Sequence, residues 1–121
     1  MGHGTSREEV RLLNQMLTDL PGMEPEIIAT GGCVLLTPPT RKREVALLAV
    51  TDEALVYYLN YETGLFTWEW NEIVAVTDER KRIRHRMTID LVDGSALKFR
   101  IDGPRIANAI RDAWSADREQ R

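Results

Sequence analysis

The sequence predicts a mainly β domain: about seven antiparallel strands curled into a barrel or orthogonal sandwich, capped by a C-terminal α-helix and preceded by an N-terminal helix. Three observations lead there. Apolar and polar residues alternate in short runs through the middle of the chain, separated by turns that carry Gly, Pro or Asp. Helical spacing is confined to the two ends. Finally, so many strands are too many for an open sheet in 121 residues, and a curled sheet with a helix over one open end is the compact answer.

Ser6-Arg7-Glu8-Glu9 is a capping-box pattern, and Val10, Leu13, Met16, Leu17 and Leu20 follow at three- and four-residue intervals until Pro21-Gly22. So short a helix needs a surface to dock on, either the core or a partner. An extended segment runs from Glu26 to Leu36, with Gly31-Gly32 read as a bulge or sharp bend. Pro38-Pro39 lie in a loop, because neither donates to a ladder. Strands follow at 44–50, 54–59, 65–70 and 73–77. In the third of these, Phe66, Trp68 and Trp70 share one face, as a core filling or as a stacking platform.

The clearest pair is last: Met87, Ile89 and Leu91 alternate with polar residues, as do Leu97, Phe99 and Ile101, with Asp93-Gly94 between them as the turn. Pro104 opens the closing helix, whose apolar face is Ile106, Ile110, Ala113 and Trp114, with Trp114 the expected anchor and Ser115 onward expected to fray. The division is therefore a helix at 1–22, one domain at 23–116 and a polar tail at 117–121.

Composition narrows the class. With 43% hydrophobic and 29% charged residues the chain suits one globular domain, which buries about two-thirds of its unfolded surface without disulfides or metal. No run approaches the roughly 20 apolar residues of a membrane span. Met1 to Thr5 lack the apolar core of a secretory signal, and the lone Cys33 excludes an internal disulfide. The expected compartment is the reducing cytoplasm.

Charge is unevenly spread. The formal net charge is -3, which argues against a dedicated nucleic-acid binder. From Glu44 to Glu79 there are eight acids and no Lys or Arg. Arg80, Lys81, Arg82, Arg84 and Arg86 then crowd into seven residues, either a solvated loop neutralised by nearby acids or an anion-binding patch. In a continuous extended arm Arg80, Arg82, Arg84 and Arg86 would share one face.

At this point the sequence resembles the bacterial pleckstrin-homology-like family, related in fold to the lipid-binding PH and GRAM domains. The resemblance spans about residues 26–116. It rests on the hairpin pattern from Leu47 to Tyr57 with Thr51-Asp52 at its turn, on Trp70-Asn71-Glu72-Ile73-Val74-Ala75-Val76, on Asp93-Gly94, and on the last helix with Trp114. It implies a binding scaffold. It also implies that Arg41-Lys42-Arg43 occupies the loop with which eukaryotic relatives grip inositol phosphates, although the neighbouring loops carry Glu62 and Asp93.

Catalytic chemistry has little material. His3 and His85 are the two histidines, too few for a metal cage or a Ser-His-Asp arrangement, and His85 is expected to be exposed. Gly31-Gly32 lacks the spacing of a phosphate loop, and Cys33 reads as a small buried hydrophobe. No cofactor is expected. The function expected is non-enzymatic binding, of another protein or a second copy, with Val10, Leu13, Leu17 and Leu20 as a candidate interface. The alternative is weak peripheral binding of acidic lipid or nucleic acid through Arg41, Lys42, Arg43, Arg80, Lys81, Arg82, Arg84 and Arg86.

Overall fold

The computed structural model describes residues 7–22, 26–36, 45–60, 64–81, 84–101 and 103–120. Helix α1 (Arg7–Asp19) precedes strands β1 (Ile27–Leu35), β2 (Val45–Thr51), β3 (Ala54–Asn60) and β4 (Gly64–Glu69). A short 3-10 helix (Trp70–Glu72) leads into β5 (Ile73–Lys81), β6 (Arg84–Leu91) and β7 (Ala96–Ile101), and helix α2 (Pro104–Glu119) ends the described fold. Every pairing is antiparallel, in the order β4-β3-β2-β1-β7-β6-β5.

The expected closure into a curled barrel or orthogonal sandwich is not what the sheet does. Its order is linear, β4 and β5 are edges with no ladder between them, and it is neither closed nor strongly curled. The reason lies in the two helices. Side chains alternate across a strand, so each face needs its own cover. Ala46, Leu48, Val50, Leu55 and Tyr57 join Met87, Ile89, Phe99 and Ile101 on one face, where Ile106, Ala107 and Ile110 of α2 complete the larger core. Leu47, Ala49, Val56 and Tyr58 point the other way and meet Leu12 and Met16 of α1. With a helix on each side, the sheet buries both faces of β1–β3 without closing.

The α1 stripe is rotated from the one the sequence suggests. Leu12 and Met16 are fully buried, Leu13 and Leu20 flank them, Leu17 is half-buried and Val10 is exposed. The Tyr58 hydroxyl donates to the Asp19 carboxylate and fastens the end of the helix to β3. Burying two such apolar side chains contributes about 1.5–3 kcal/mol each, which is what allows so short a helix to persist.

Gly31 and Gly32 do not bend β1. Its register shift lies between Ile27 and Ala29, and pairing with β2 runs unbroken through both glycines. Gly31 is required for another reason: a Cβ there would lie 2.8 Å from Ile106 Cβ, so its absence lets α2 approach the sheet. Within α2 the buried residues are Ile106, Ala107 and Ile110, while Trp114 is half-buried at the far end, its Nε1–H donating to Ile73 O at 2.9 Å. The helix runs past Ser115 to Glu119 instead of fraying, with the Arg118 guanidinium 4.8 Å over the Trp114 ring.

The β6–β7 connection takes four residues, Val92 to Ser95. Gly94 has φ +92° and its N–H donates to Leu91 O at 3.0 Å, while Leu91 N–H donates to Ser95 O at 2.9 Å. Asp93 accepts from Ser95 Oγ–H at 2.5 Å and from Ser95 N–H at 2.8 Å, and these bonds, the hydroxyl first, hold its carboxyl below the ordinary value of 3.8. A lowered carboxylate stabilises the fold above its unfolded pKa and loses that contribution as pH falls through its folded value. The turn is thus expected to be fully bonded at neutral pH and to loosen as pH falls through that lowered value. An NMR titration of the Asp93 carboxyl carbon should give a midpoint below 3.8, and one at or above that value would contradict the bonding.

Candidate functional site

The feature best suited to a function is a stretch of β1 that, among the described residues, has a strand neighbour on one side only. Pairing with β2 covers β1 from Ile27 to Val34, but pairing with β7 begins at Cys33, opposite Ile101. Beyond Ile101 the chain turns away into α2. The backbone direction of this free edge follows from two bonds. Leu36 N–H donates to Lys98 O of β7 at 2.7 Å, so even-numbered residues of this segment turn their backbone groups to that side. The Thr30 carbonyl turns the same way and finds no strand. It accepts instead from Arg105 Nη2 at 2.9 Å.

Arg105 is one part of a clasp around this edge. Its Nη2 also lies 3.6 Å from Glu9 Oε1 on α1, and Glu9, 5% exposed, accepts from Thr30 Oγ1–H at 3.0 Å. The clasp joins the two helices, which lie on opposite faces, across the unpaired strand. Alongside it opens a cleft of about 600 Å³ between the start of β1 and the flank of α2. Ile28 and Ala29 form one wall; Asn108, Ala109, Ala113 and Ala116 form the other, with Arg105 and Asp112 at its rim. Ile28 is 62% exposed, an apolar side chain left in solvent beside unpaired backbone. The small alanines, at helical spacing, leave room for bulkier side chains than their own.

Of the other two edges, β5 is the better guarded. At the start of β5 the carbonyls of Ile73 and Val74 are taken by Trp114 Nε1–H and Arg118 Nη1, and farther along β5 carries Asp78, Glu79 and Arg80. On β4, Phe66 stacks on Trp68 with centroids 6.2 Å apart, and both pack against the larger core with Tyr57 between Phe66 and Phe99. The aromatic row therefore serves the core, and Trp70 has left the strand for the 3-10 helix, fully buried.

The basic segment folds as a hairpin. Glu79 pairs with Arg86, Arg80 with His85 and Lys81 with Arg84, so the chain reverses between positions 81 and 84. The single row of four arginines is corrected by this reversal: Arg80 shares a face with His85, and Arg84 and Arg86 belong to the opposite one. His85 is not exposed. It takes the parity of Met87 and Ile89, lies 4% exposed on the larger core's face, and bonds through Nε2 to Asp78, whose other oxygen is 3.6 Å from Arg111 Nη1. Arg82, like Arg41, Lys42 and Arg43, lies outside the described residues. Cys33 is buried.

Sequence reasoning missed Arg105, Asp112 and the alanine flank. The spacing of Ala109, Ala113 and Ala116 was the available signal, though nothing local ties it to β1. Among the described residues no cluster of three or more His, Cys, Asp or Glu could hold a metal ion, and no helix is long and apolar enough to cross a membrane.

No family model and no curated protein matches the chain. Among solved structures it is similar to the C-terminal domain of an unknown protein from Leishmania infantum, with a TM-score of 0.68 and 13% identity over 84% of this chain and 96% of that one. At that identity the likeness establishes the fold, an antiparallel β domain with flanking helices, and nothing further.

Proposed function

We propose that this chain is a non-enzymatic binding module of the bacterial PH-like kind, which captures an extended segment of a partner protein along the free edge of β1. One observation carries the reading. Among the described residues no strand pairs with Ile27–Gly32 on the side facing α2, and a cleft with apolar walls opens there. An added strand supplies the missing backbone hydrogen bonds, while alternate side chains enter the space between Ile28 and the α2 alanines. The partner chemistry that fits is an extended peptide with a bulky apolar residue. Its N–H would take over the Thr30 carbonyl that Arg105 now occupies.

The family resemblance supports a binding role. The test starts from peptides selected by display against the full chain. N-methylation at every second peptide residue in the register that faces β1 is expected to abolish binding, and in the other register to spare it. Asn108→Arg and Ala116→Arg, both at exposed positions lining the cleft, should each weaken binding at least roughly tenfold, about 1.4 kcal/mol. Indifference to N-methylation in both registers would contradict strand addition. Selected ligands that ignore both variants would move the site elsewhere, to β4, β5 or a second copy docking at Val10.

A further inference from the structure

Helix α1 covers its sheet face over β1–β3, and among the described residues nothing packs over the rest of that face, which carries cations in register. Here β6 contributes Arg86, Thr88 and Asp90, β7 contributes Lys98 and Arg100, and β5 contributes Thr77 and Glu79. Lys81 and Arg84 hold the register positions that continue the same face. Arg86 stands directly opposite Arg100 on one side and Glu79 on the other, and Lys98 stands opposite Thr88. Like charges directly opposite on neighbouring strands are destabilising. Arg100 is also half-buried, where its charge is screened less than in open water. Among the described residues no ion pair holds Arg86 or Arg100, whereas Arg111 on the other side of the sheet has Asp78. The acids at the opposite end, Asp52 and Glu53 of the β2–β3 turn with Glu69 and Glu72, give the molecule a charge asymmetry that its net value of -3 conceals.

We infer that this face of β6 and β7 binds the phosphate backbone of single-stranded nucleic acid without reading its sequence. Residues two apart along a strand lie about 7 Å from one another and neighbouring strands about 5 Å, a spacing on the order of that between successive phosphates. Thr77 and Thr88 add hydroxyl donors, and no aromatic side chain on this face offers a base a platform. A bilayer fits less well. Helix α1 stands above the sheet beside it, recessing the floor on which half-buried Arg100 lies. The site is distinct from the β1 cleft, so the two proposals stand or fall separately.

The test is fluorescence anisotropy of a labelled oligothymidylate titrated with the full chain. Binding is expected at 50 mM salt and should weaken on the order of 20-fold by 200 mM, as about three phosphate contacts to a single strand require. Arg86→Gln/Arg100→Gln should reduce binding at least roughly tenfold and Arg86→Gln alone by less. Arg111→Gln/Arg118→Gln, which makes the same change in net charge on the other side of the sheet, should change it less than about twofold. Circular dichroism of each variant confirms that it is folded. No binding at the lower salt would overturn the proposal, as would equal losses in the two double variants. Binding to phosphatidylserine vesicles but not to the oligonucleotide would overturn it in favour of a membrane surface.

Discussion

Trp70→Ala is expected to cost about 3–5 kcal/mol, a large share of the roughly 5–15 kcal/mol that stabilises an ordinary domain. Trp70 is the largest fully buried side chain, 1% exposed, and it sits in the three residues that carry the chain from the β4 edge of the sheet to the β5 edge. Its indole N–H donates to Thr51 O at 3.0 Å and its backbone N–H to Glu53 O at 3.3 Å, so it also anchors the β2–β3 turn. The alanine leaves a void in the larger core and an unmet carbonyl beneath it. Trp70→Phe separates the two, since it keeps most of the apolar volume and should cost about 1–3 kcal/mol for the lost hydrogen bond and the shape change. Urea denaturation of both variants checks this. A loss below about 1 kcal/mol for Trp70→Ala would mean that the residue is not where the core places it.

Gly31→Val is expected to be nearly as damaging, for the opposite reason. The problem there is excess volume. A Cβ at position 31 would lie 2.8 Å from Ile106 Cβ and 3.1 Å from its Cγ2. The Ile106 Cβ is fixed to the helix backbone, so the clash is relieved only by moving α2 off the sheet. Overpacking of this kind costs about 1–3 kcal/mol, and the two extra methyl groups of valine put it at the upper end. Gly32→Ala, one residue on and turned to the other face, is the comparison. Retained stability in Gly31→Val, with α2 still protected from hydrogen exchange, would show that the helix is not held this close.

Much of the sheet was legible because period-two alternation is a local signal. The β6–β7 hairpin is the clearest case. Met87, Ile89 and Leu91 share a face with Leu97, Phe99 and Ile101, as the alternation requires, and the chain reverses over Val92 to Ser95 instead of over Asp93-Gly94 alone. The structure's register sets Arg86 opposite Arg100. The basic hairpin was harder. Alternation through Arg80–Arg86 assumes one continuous strand, and the reversal between positions 81 and 84 inverts the parity of everything beyond it.

Two misjudgements share a cause. Gly31 looked like a bend because its partner, Ile106, is 75 residues away and invisible to any local window. Closure looked necessary because α1 was not assigned to the sheet, and once Leu12 and Met16 cover the second face the open sheet suffices. The candidate site suffered most. A free edge is a statement about which strand ends where, and only the β1–β7 register reveals that Thr30 has no strand beside it.

That edge is best examined by amide hydrogen exchange, read by NMR on the full chain with and without a display-selected peptide. The account predicts that in the free protein the Thr30 amide, turned towards the cleft, exchanges rapidly between the protected amides of Ala29 and Gly31, which face β2. Saturating peptide should slow Thr30 exchange at least roughly tenfold and leave β4 and β5 unchanged. A Thr30 amide already protected in the free chain, or a peptide that protects β4 or β5 instead, would contradict the claim that β1 is the binding edge.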